Sequence, residues 1–380
     1  MEFIGSALLF LSAAGTTCLI VAAIRLLRMQ RVPPIEVRRD AVTILKPLFG
    51  AEPQLLANLS TFLRQDHAGE IQLICGVHSM TDPAVSVVEA LQALHPQADI
   101  VLTVESSARG TNAKVSNLIA MVAHARHPIL ILSDSDMAVG PDYLATVTAA
   151  LAAPGVGAVT CLYRGRGDAG SWSRLAAMGI SQHFLPSVLL GTTLGLATPC
   201  MGSTIALRRT TLDAIGGLDA FVDLLADDYA IGNAVRQRGE TVALPDLLLT
   251  HACTEASLAA LVRQELRWNR TVAQLDPAGF IGSIVLHPFP LALLGVTLSS
   301  FSLIATAILV AALLARTGIA LLVDRTTGNR TAPLLWIPAR DLLSFVLFFW
   351  TFFGRAVDWR GAAFTVDPTG RLSTHQDSIK

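Results

Sequence analysis

The stretch ILILSDSDMAVGPDYL, residues 129–144, ends a strongly apolar run on two carboxylates, Asp134 and Asp136, with one serine between them. Two like charges that close repel unless something positive sits beside them. A hard divalent cation meets that need: Mg2+ or Mn2+ is held through one or two carboxylates, with substrate phosphates supplying further oxygens. The structural alternative is that one aspartate caps the next helix while the other is solvated. Placement at the end of a strand as apolar as ILIL favours a cation with a nucleotide diphosphate.

Other chemistry-bearing residues follow in order along the chain. In TDPAV (81–85), Asp82 either caps a helix whose first residue is Pro83 or contacts a nucleotide base or ribose. In NAKVSNL (112–118), Lys114 offers a point charge to a diphosphate and Asn117 an amide to a base or sugar, although a plain amphipathic helix start reads equally well. In LADDYAIGNAVRQRG, Asp227 and Asp228 open a helical segment, where acidic residues favour the positive end of the dipole. A carboxylate there could also act as general base to a hydroxyl. In RQELRWNR, Gln264 and Arg267 are three residues apart on one helical face, next to Trp268. Arginine neutralises a diphosphate and tryptophan packs on a sugar or an apolar acceptor, while a plain surface helix at a membrane boundary would also use these residues.

These residues need a scaffold, and residues 34–275 supply the pattern of one. Short β-rich apolar runs at 41–45, 71–77, 100–104, 129–133 and 156–162 alternate with helical periodicity at 53–64, 84–94, 114–124 and 143–151. Such alternation predicts an α/β domain with a mostly parallel sheet and helices on both faces. Ligands bind at the carboxyl ends of strands in such sheets, which is where Asp82, Asp134 and Asp136 fall. There is no P-loop, no GxGxxG after a strand, no GxSxG elbow, no HExxH and no CxxC pair.

The whole chain is too apolar for a purely soluble protein, with 52% hydrophobic and 15% charged residues, against about a quarter charged in ordinary globular domains. A net charge of −1, from 28 basic and 29 acidic residues, leaves no field to attract nucleic acid, and that class of partner is excluded. Five cysteines, Cys18, Cys75, Cys161, Cys200 and Cys253, stand singly and fit reduced thiols. The apolar excess lies at the ends. Residues 3–24 are long enough to span a bilayer, and Arg25, Arg28, Arg31, Arg38 and Arg39 follow, which predicts an anchor with its sequel on the cytoplasmic side rather than a cleaved signal peptide. Residues 280–323 suit a transmembrane hairpin turning near 299–302, and 342–353 (LLSFVLFFWTFF) suit an interfacial or re-entrant helix. The arginines at 325, 330, 355, 360 and 371 then share the cytoplasmic side. The expected organisation is an N-terminal anchor at 1–28, a cytoplasmic α/β domain at 29–278, a hairpin at 279–324, and an interfacial or re-entrant helix with tail at 325–380.

The series Asp82, DSD at 134–136, DDY at 227–229 and QELRW at 264–268, between membrane segments, resembles the GT-A glycosyltransferases with their D, D, D, QxxRW motifs. Within them the chain is similar to the ceramide glucosyltransferase family, through KPLFGAEPQL, TDPAV, NAKVSNL, SDSDM, LYRGR, ALRRTTLDAIGG, ADDYAIG and RQELRWNR. It looks most like the bacterial hopanoid-biosynthesis glycosyltransferases. The resemblance implies a GT-A nucleotide-diphospho-sugar transferase fold, a divalent cation, a UDP-sugar donor (UDP-GlcNAc) and a membrane lipid acceptor such as bacteriohopanetetrol, at the bacterial inner membrane. It further implies that Asp82 contacts uridine and that Asp134 and Asp136 hold metal and diphosphate. Asp228 would be the catalytic base, and Gln264, Arg267 and Trp268 would form the donor–acceptor end. UDP-glucose transfer to ceramide is the alternative within the family, and a non-catalytic membrane scaffold the alternative outside it.

Overall fold

The computed structural model describes residues 2–29, 39–107 and 109–354, and the backbone of 356–359, 362–366 and 372–374. Arg31, Arg38, Arg355, Arg360 and Arg371, expected on the cytoplasmic side, lie outside the residues whose side chains are described. The chain divides into two units. A sheet unit comprises Pro33–Tyr163, Pro199–Thr254 and Val366–Lys380, and a helical unit comprises Met1–Val32, Arg164–Thr198 and Glu255–Thr365.

In the sheet unit, strands Asp99–Val104, Ile71–Val77, Val42–Pro47, Ile129–Leu132, Ile205–Arg208, Val156–Val159 and Thr241–Ala243 lie side by side in that order. The first four are mutually parallel, and Ile205–Arg208 runs antiparallel to both of its neighbours. Side chains of a strand alternate between faces, so a strand covered on both sides must be apolar throughout. Ile129–Leu132 shows this: Ile129 and Ile131 pack with Leu59, Phe62, Val88 and Val147 on one face. Leu130 and Leu132 pack with Val115, Leu118, Met121 and Ile231 on the other. The expected strands and helices are present with small shifts at their ends. Ala84–Leu94 and Tyr143–Leu151 have the expected bounds, while 156–162 is split into Val156–Val159 and a separate strand from Leu162.

Among its described residues the helical unit holds two helices long and apolar enough to cross a membrane, Glu2–Met29 and Leu303–Thr327. The first leg of the expected hairpin is not one straight span. It consists of Pro277–Leu286 and Pro288–Leu298, bent by 65° at His287. Pro288 and Pro290 lack backbone N–H groups, so they begin a helix readily but cannot continue the one before it. The turn falls at 299–302 as expected, and Ser302 caps the next helix by accepting from Ala305 N–H at 3.3 Å. Close helix approach needs small residues: Ser12 donates to the Pro288 carbonyl at 2.8 Å, and Gly15 leaves room for the Val285 carbonyl. The apolar helix expected at 342–353 runs over Ile337–Trp350, with Pro338 in its first turn.

Two segments within the expected domain of 29–278, Arg164–Thr198 and the helix Leu258–Leu275, group with the helical unit. One reason is visible in the packing: Met178 is buried against Ala320, Ala332 and Ile337.

Candidate active site

The parallel strands end at Pro47, Val77, Val104 and Leu132, and the chemistry gathers beyond those ends. Asp134 and Asp136 leave the sheet immediately after Leu132, pinned by the backbone: Asp134 N–H donates to the Gly202 carbonyl at 3.1 Å and the Asp136 carbonyl accepts from Ala252 N–H at 2.7 Å. Lys114, in the first turn of the helix Ala113–Val122, reaches Asp134 Oδ1 at 2.8 Å and Asp227 Oδ2 at 3.2 Å. That helix is fixed at its start by Asn112, which accepts from Val115 N–H at 3.1 Å and donates to the Leu224 carbonyl at 2.7 Å. One cation thus bridges the DSD stretch and the DDY helix.

Asp228 opens the helix Asp227–Gln237. Its Oδ2 accepts from Gly202 N–H at 2.9 Å and its Oδ1 from Tyr229 N–H at 2.8 Å. Burial, followed by the neighbouring Asp227 carboxylate, pushes its pKa up to about 6. Lys114 and the Tyr229 N–H act in the opposite sense and are outweighed. A carboxylate with a pKa near 6 is a competent base at neutral pH, where an ordinary aspartate is too weak.

Asp136 Oδ2 pairs with His251 Nε2 at 3.1 Å, and the Tyr163 ring stacks on His251 with centroids 5.6 Å apart. Burial alone would raise the Asp136 pKa; attraction from His251 and Lys46 brings it below the usual carboxylate range. Burial holds Asp134 above that range in spite of Lys114. Among the described residues, no group of three or more His, Cys, Asp or Glu is placed to hold a metal by itself. The donor set does fit a cation completed by substrate oxygens: Asp136 Oδ1 is shut from solvent with no hydrogen-bond partner, and two carboxylates plus diphosphate oxygens are the usual Mg2+ environment.

Three site residues escape the sequence reading. Lys46, inside the strand Val42–Pro47, is fully buried and donates to Ser133 Oγ at 3.0 Å and the Asp134 carbonyl at 2.7 Å, with its ammonium 3.7 Å above the Phe62 ring. Burial lowers its pKa to about 7 against the pull of Asp136 and Asp134. A lysine inside VTILKP is the signal, since lysine is almost never fully buried without a partner. Gly202 touches both Asp134 and Asp228 through its backbone, and a Cβ there would lie 2.6 Å from Asp134 Oδ2 and 3.0 Å from Lys114 Nζ. Nothing in CMGST marks that glycine. His251, which orients Asp136, sits in an unremarkable strand, Leu248–Cys253.

Asp82 Oδ1 accepts from Ala84 N–H at 2.8 Å and from Gly50 N–H at 2.9 Å, so it caps the helix Ala84–Leu94 and ties it to the loop after the first strand. Asn117 is buried, and its Nδ2 donates to the Gly76 carbonyl at 2.7 Å. That bond ties the helix Ala113–Val122 to the end of the strand Ile71–Val77, while Lys114 reaches the carboxylates. Gln264, Arg267 and Trp268 lie on Leu258–Leu275 in the helical unit.

The mostly parallel sheet carries this carboxylate cluster at its carboxyl edge, as expected of a GT-A-type fold. The family model described as Glycosyl transferase family 21 matches residues 7–372, and the chain belongs to that family. Among curated proteins it is similar to Ceramide glucosyltransferase 1 of Caenorhabditis elegans, at 27% identity over 58% of this chain and 46% of that protein. It is likewise similar to Ceramide glucosyltransferase 3 of the same organism, at 26% identity over 60% and 49%. The chain thus spans about half the length of the curated relatives it matches. Among solved structures, the mannosyltransferase PcManGT from Pyrobaculum calidifontis, in complex with GDP-Man and Mn2+, aligns over 90% of this chain and 99% of its own at 23% identity, with a TM-score of 0.49.

Proposed function

We propose that the protein is a membrane-bound, inverting UDP-sugar:lipid glycosyltransferase. The observation that carries this reading is Asp228, raised to a pKa of about 6 and held by the Gly202 and Tyr229 amides in one cluster with Lys114, Asp134 and Asp227. Asp228 takes the proton of an acceptor hydroxyl as that oxygen attacks the anomeric carbon from the face opposite UDP. The new glycosidic C–O bond forms, the bond to the diphosphate oxygen breaks, and UDP leaves with inversion. Mg2+ or Mn2+ held by Asp134 and Asp136 would supply positive charge to the leaving diphosphate. Lys114 steadies Asp134 and Asp227, and His251 orients Asp136. Uridine contact by Asp82 and donor contacts by Gln264, Arg267 and Trp268 rest on the family motif.

The proposed donor is UDP-GlcNAc and the proposed acceptor a polyhydroxylated polycyclic lipid such as bacteriohopanetetrol, at the cytoplasmic face of a bacterial inner membrane. UDP-glucose transfer to ceramide is the second reading, favoured by the two nematode relatives. Two helices able to cross a membrane fit an acceptor that stays in the bilayer, because extraction costs about 0.8 kcal/mol per CH2 exposed. The test incubates purified protein with UDP-GlcNAc or UDP-glucose and either lipid, and identifies products by mass spectrometry. GlcNAc on the tetrol is the expected product, glucose on ceramide selects the second reading, and no UDP release with either pair refutes both.

A further inference from the structure

The helical unit contains a second buried polar cluster, which no step above uses. Arg316 lies about midway along the apolar helix Leu303–Thr327, is 2% exposed, and grips Asp341 with two bonds, Nε to Oδ2 at 2.8 Å and Nη2 to Oδ1 at 2.7 Å. Its Nη1 donates to the main-chain carbonyl of Gln182. Arg340, 3% exposed, donates from Nη2 to Glu265 Oε1 at 2.7 Å. Gly179 closes the connection: an ideal Cβ there would collide with Arg340 Nη2 and lie 3.2 Å from Glu265 Oε1. His183 and His287 meet nearby with ring centroids 4.6 Å apart.

Charges inside an apolar helical unit mark a functional position by default, but these charges are already matched. What is unmatched is neutral hydrogen-bonding capacity. Gln182 is 1% exposed, yet neither its Oε1 nor its Nε2 has a partner among the described residues, and the same holds for Arg340 Nε and Nη1. Buried polar groups are nearly always satisfied by protein, water or ligand. Gln182 also sits in a π-helical turn, Ile180–Phe184, a local widening that helices commonly keep at functional sites.

We infer that Gln182 and Arg340 form a binding site for the neutral, hydroxylated head of a membrane lipid. Two guanidinium N–H groups need acceptors, and the free amide needs one donor and one acceptor, which a polyol or a hydroxy-amide supplies together. An anionic head is the wrong complement, because Asp341 and Glu265 already neutralise both arginines. As a statement about the acceptor, this rests on the lipid-acceptor reading above; as a statement about binding, it does not.

The experiment uses the full chain in detergent, without UDP-sugar, and measures binding of ceramide, bacteriohopanetetrol and phosphatidic acid by native mass spectrometry. At least one neutral lipid should bind, and which one identifies the source of the head group. Gln182→Met should weaken that binding about tenfold or more, equivalent to ~1.4 kcal/mol. Gln182→Asn, which keeps a retracted amide, should fall between and serves if the Met variant fails to fold. Equal binding to wild type and both variants means the site holds only water and overturns the inference, as does the absence of binding by either neutral lipid, or a Gln182-dependent preference for phosphatidic acid. Gln182-dependent binding without sugar transfer refutes the enzymatic reading and leaves the site standing. Transfer with an unchanged acceptor KM in both variants does the reverse.

Discussion

Two buried polar clusters among the described residues are built on opposite principles. In the sheet unit, Asp134, Asp136, Asp227 and Asp228 face two lysines and a histidine at the ends of strands, and carboxylates are left with unused oxygens such as Asp136 Oδ1. In the cluster of the helical unit Arg316 and Arg340 each have a carboxylate, and what is left over there is the Gln182 amide and two N–H donors of Arg340. The first arrangement has room for positive charge, the second for neutral hydrogen bonding. One chain thereby separates groups suited to a charged nucleotide from groups suited to a lipid head.

The largest expected effect breaks the helical cluster. Arg316→Ala strips Asp341 of a partner in a dry setting, and should destabilise the protein by about 3–5 kcal/mol in chemical unfolding from detergent. Replacing both partners with Met and Leu should restore most of that loss, because no lone charge remains. A single variant as stable as wild type would mean the pair is hydrated and the cluster is not closed.

In the sheet unit the comparable test is Gly202→Ala. The added methyl would meet Asp134 Oδ2 and Lys114 Nζ, moving groups that must stay within a fraction of an ångström, and turnover should fall about 100-fold with folding retained. His251→Phe keeps the ring beside Tyr163 but releases Asp136. The half-saturating Mn2+ concentration should then rise about 10- to 100-fold, as for other groups that orient a metal ligand. An unchanged Mn2+ dependence would remove His251 from the site.

The smallest effect is the pH profile. Asp228 must be ionised to accept a proton, so kcat should rise with pH through about 6 and level off above it. The same raised pKa gives the stability sign. The folded state binds the proton more tightly than the unfolded chain, so ionising Asp228 disfavours folding, and its contribution to stability declines as pH climbs from the ordinary aspartate range to about 6.

The sheet was readable because Ile129–Leu132 is a short, uninterrupted apolar run, as a strand buried on both faces must be, and because carboxylates at the end of such a run stand out. Asp134, Asp136 and Asp228 came from that logic and from motif order. Lys46, Gly202 and His251 did not, for their importance lies in contacts that span 88, 26 and more than 100 residues of sequence. Nor does the motif announce the bond from Asn117 Nδ2 to the Gly76 carbonyl, 41 residues away. The bend at His287 was foreshadowed by Pro288 and Pro290, but the Gln182 turn carried no local sign, since a π-helical widening depends on what packs around it.

The central claim is that Asp228 is the base of a glycosyl-transfer site. It is tested most directly by single-turnover transfer from the UDP-sugar to the lipid with Asp228→Asn, measured beside UDP-sugar affinity. The amide preserves shape and removes the basic oxygen. The chemical step should slow by about 100- to 10,000-fold while donor affinity changes little. Turnover at the wild-type rate, with the variant folded and donor bound, would contradict the account.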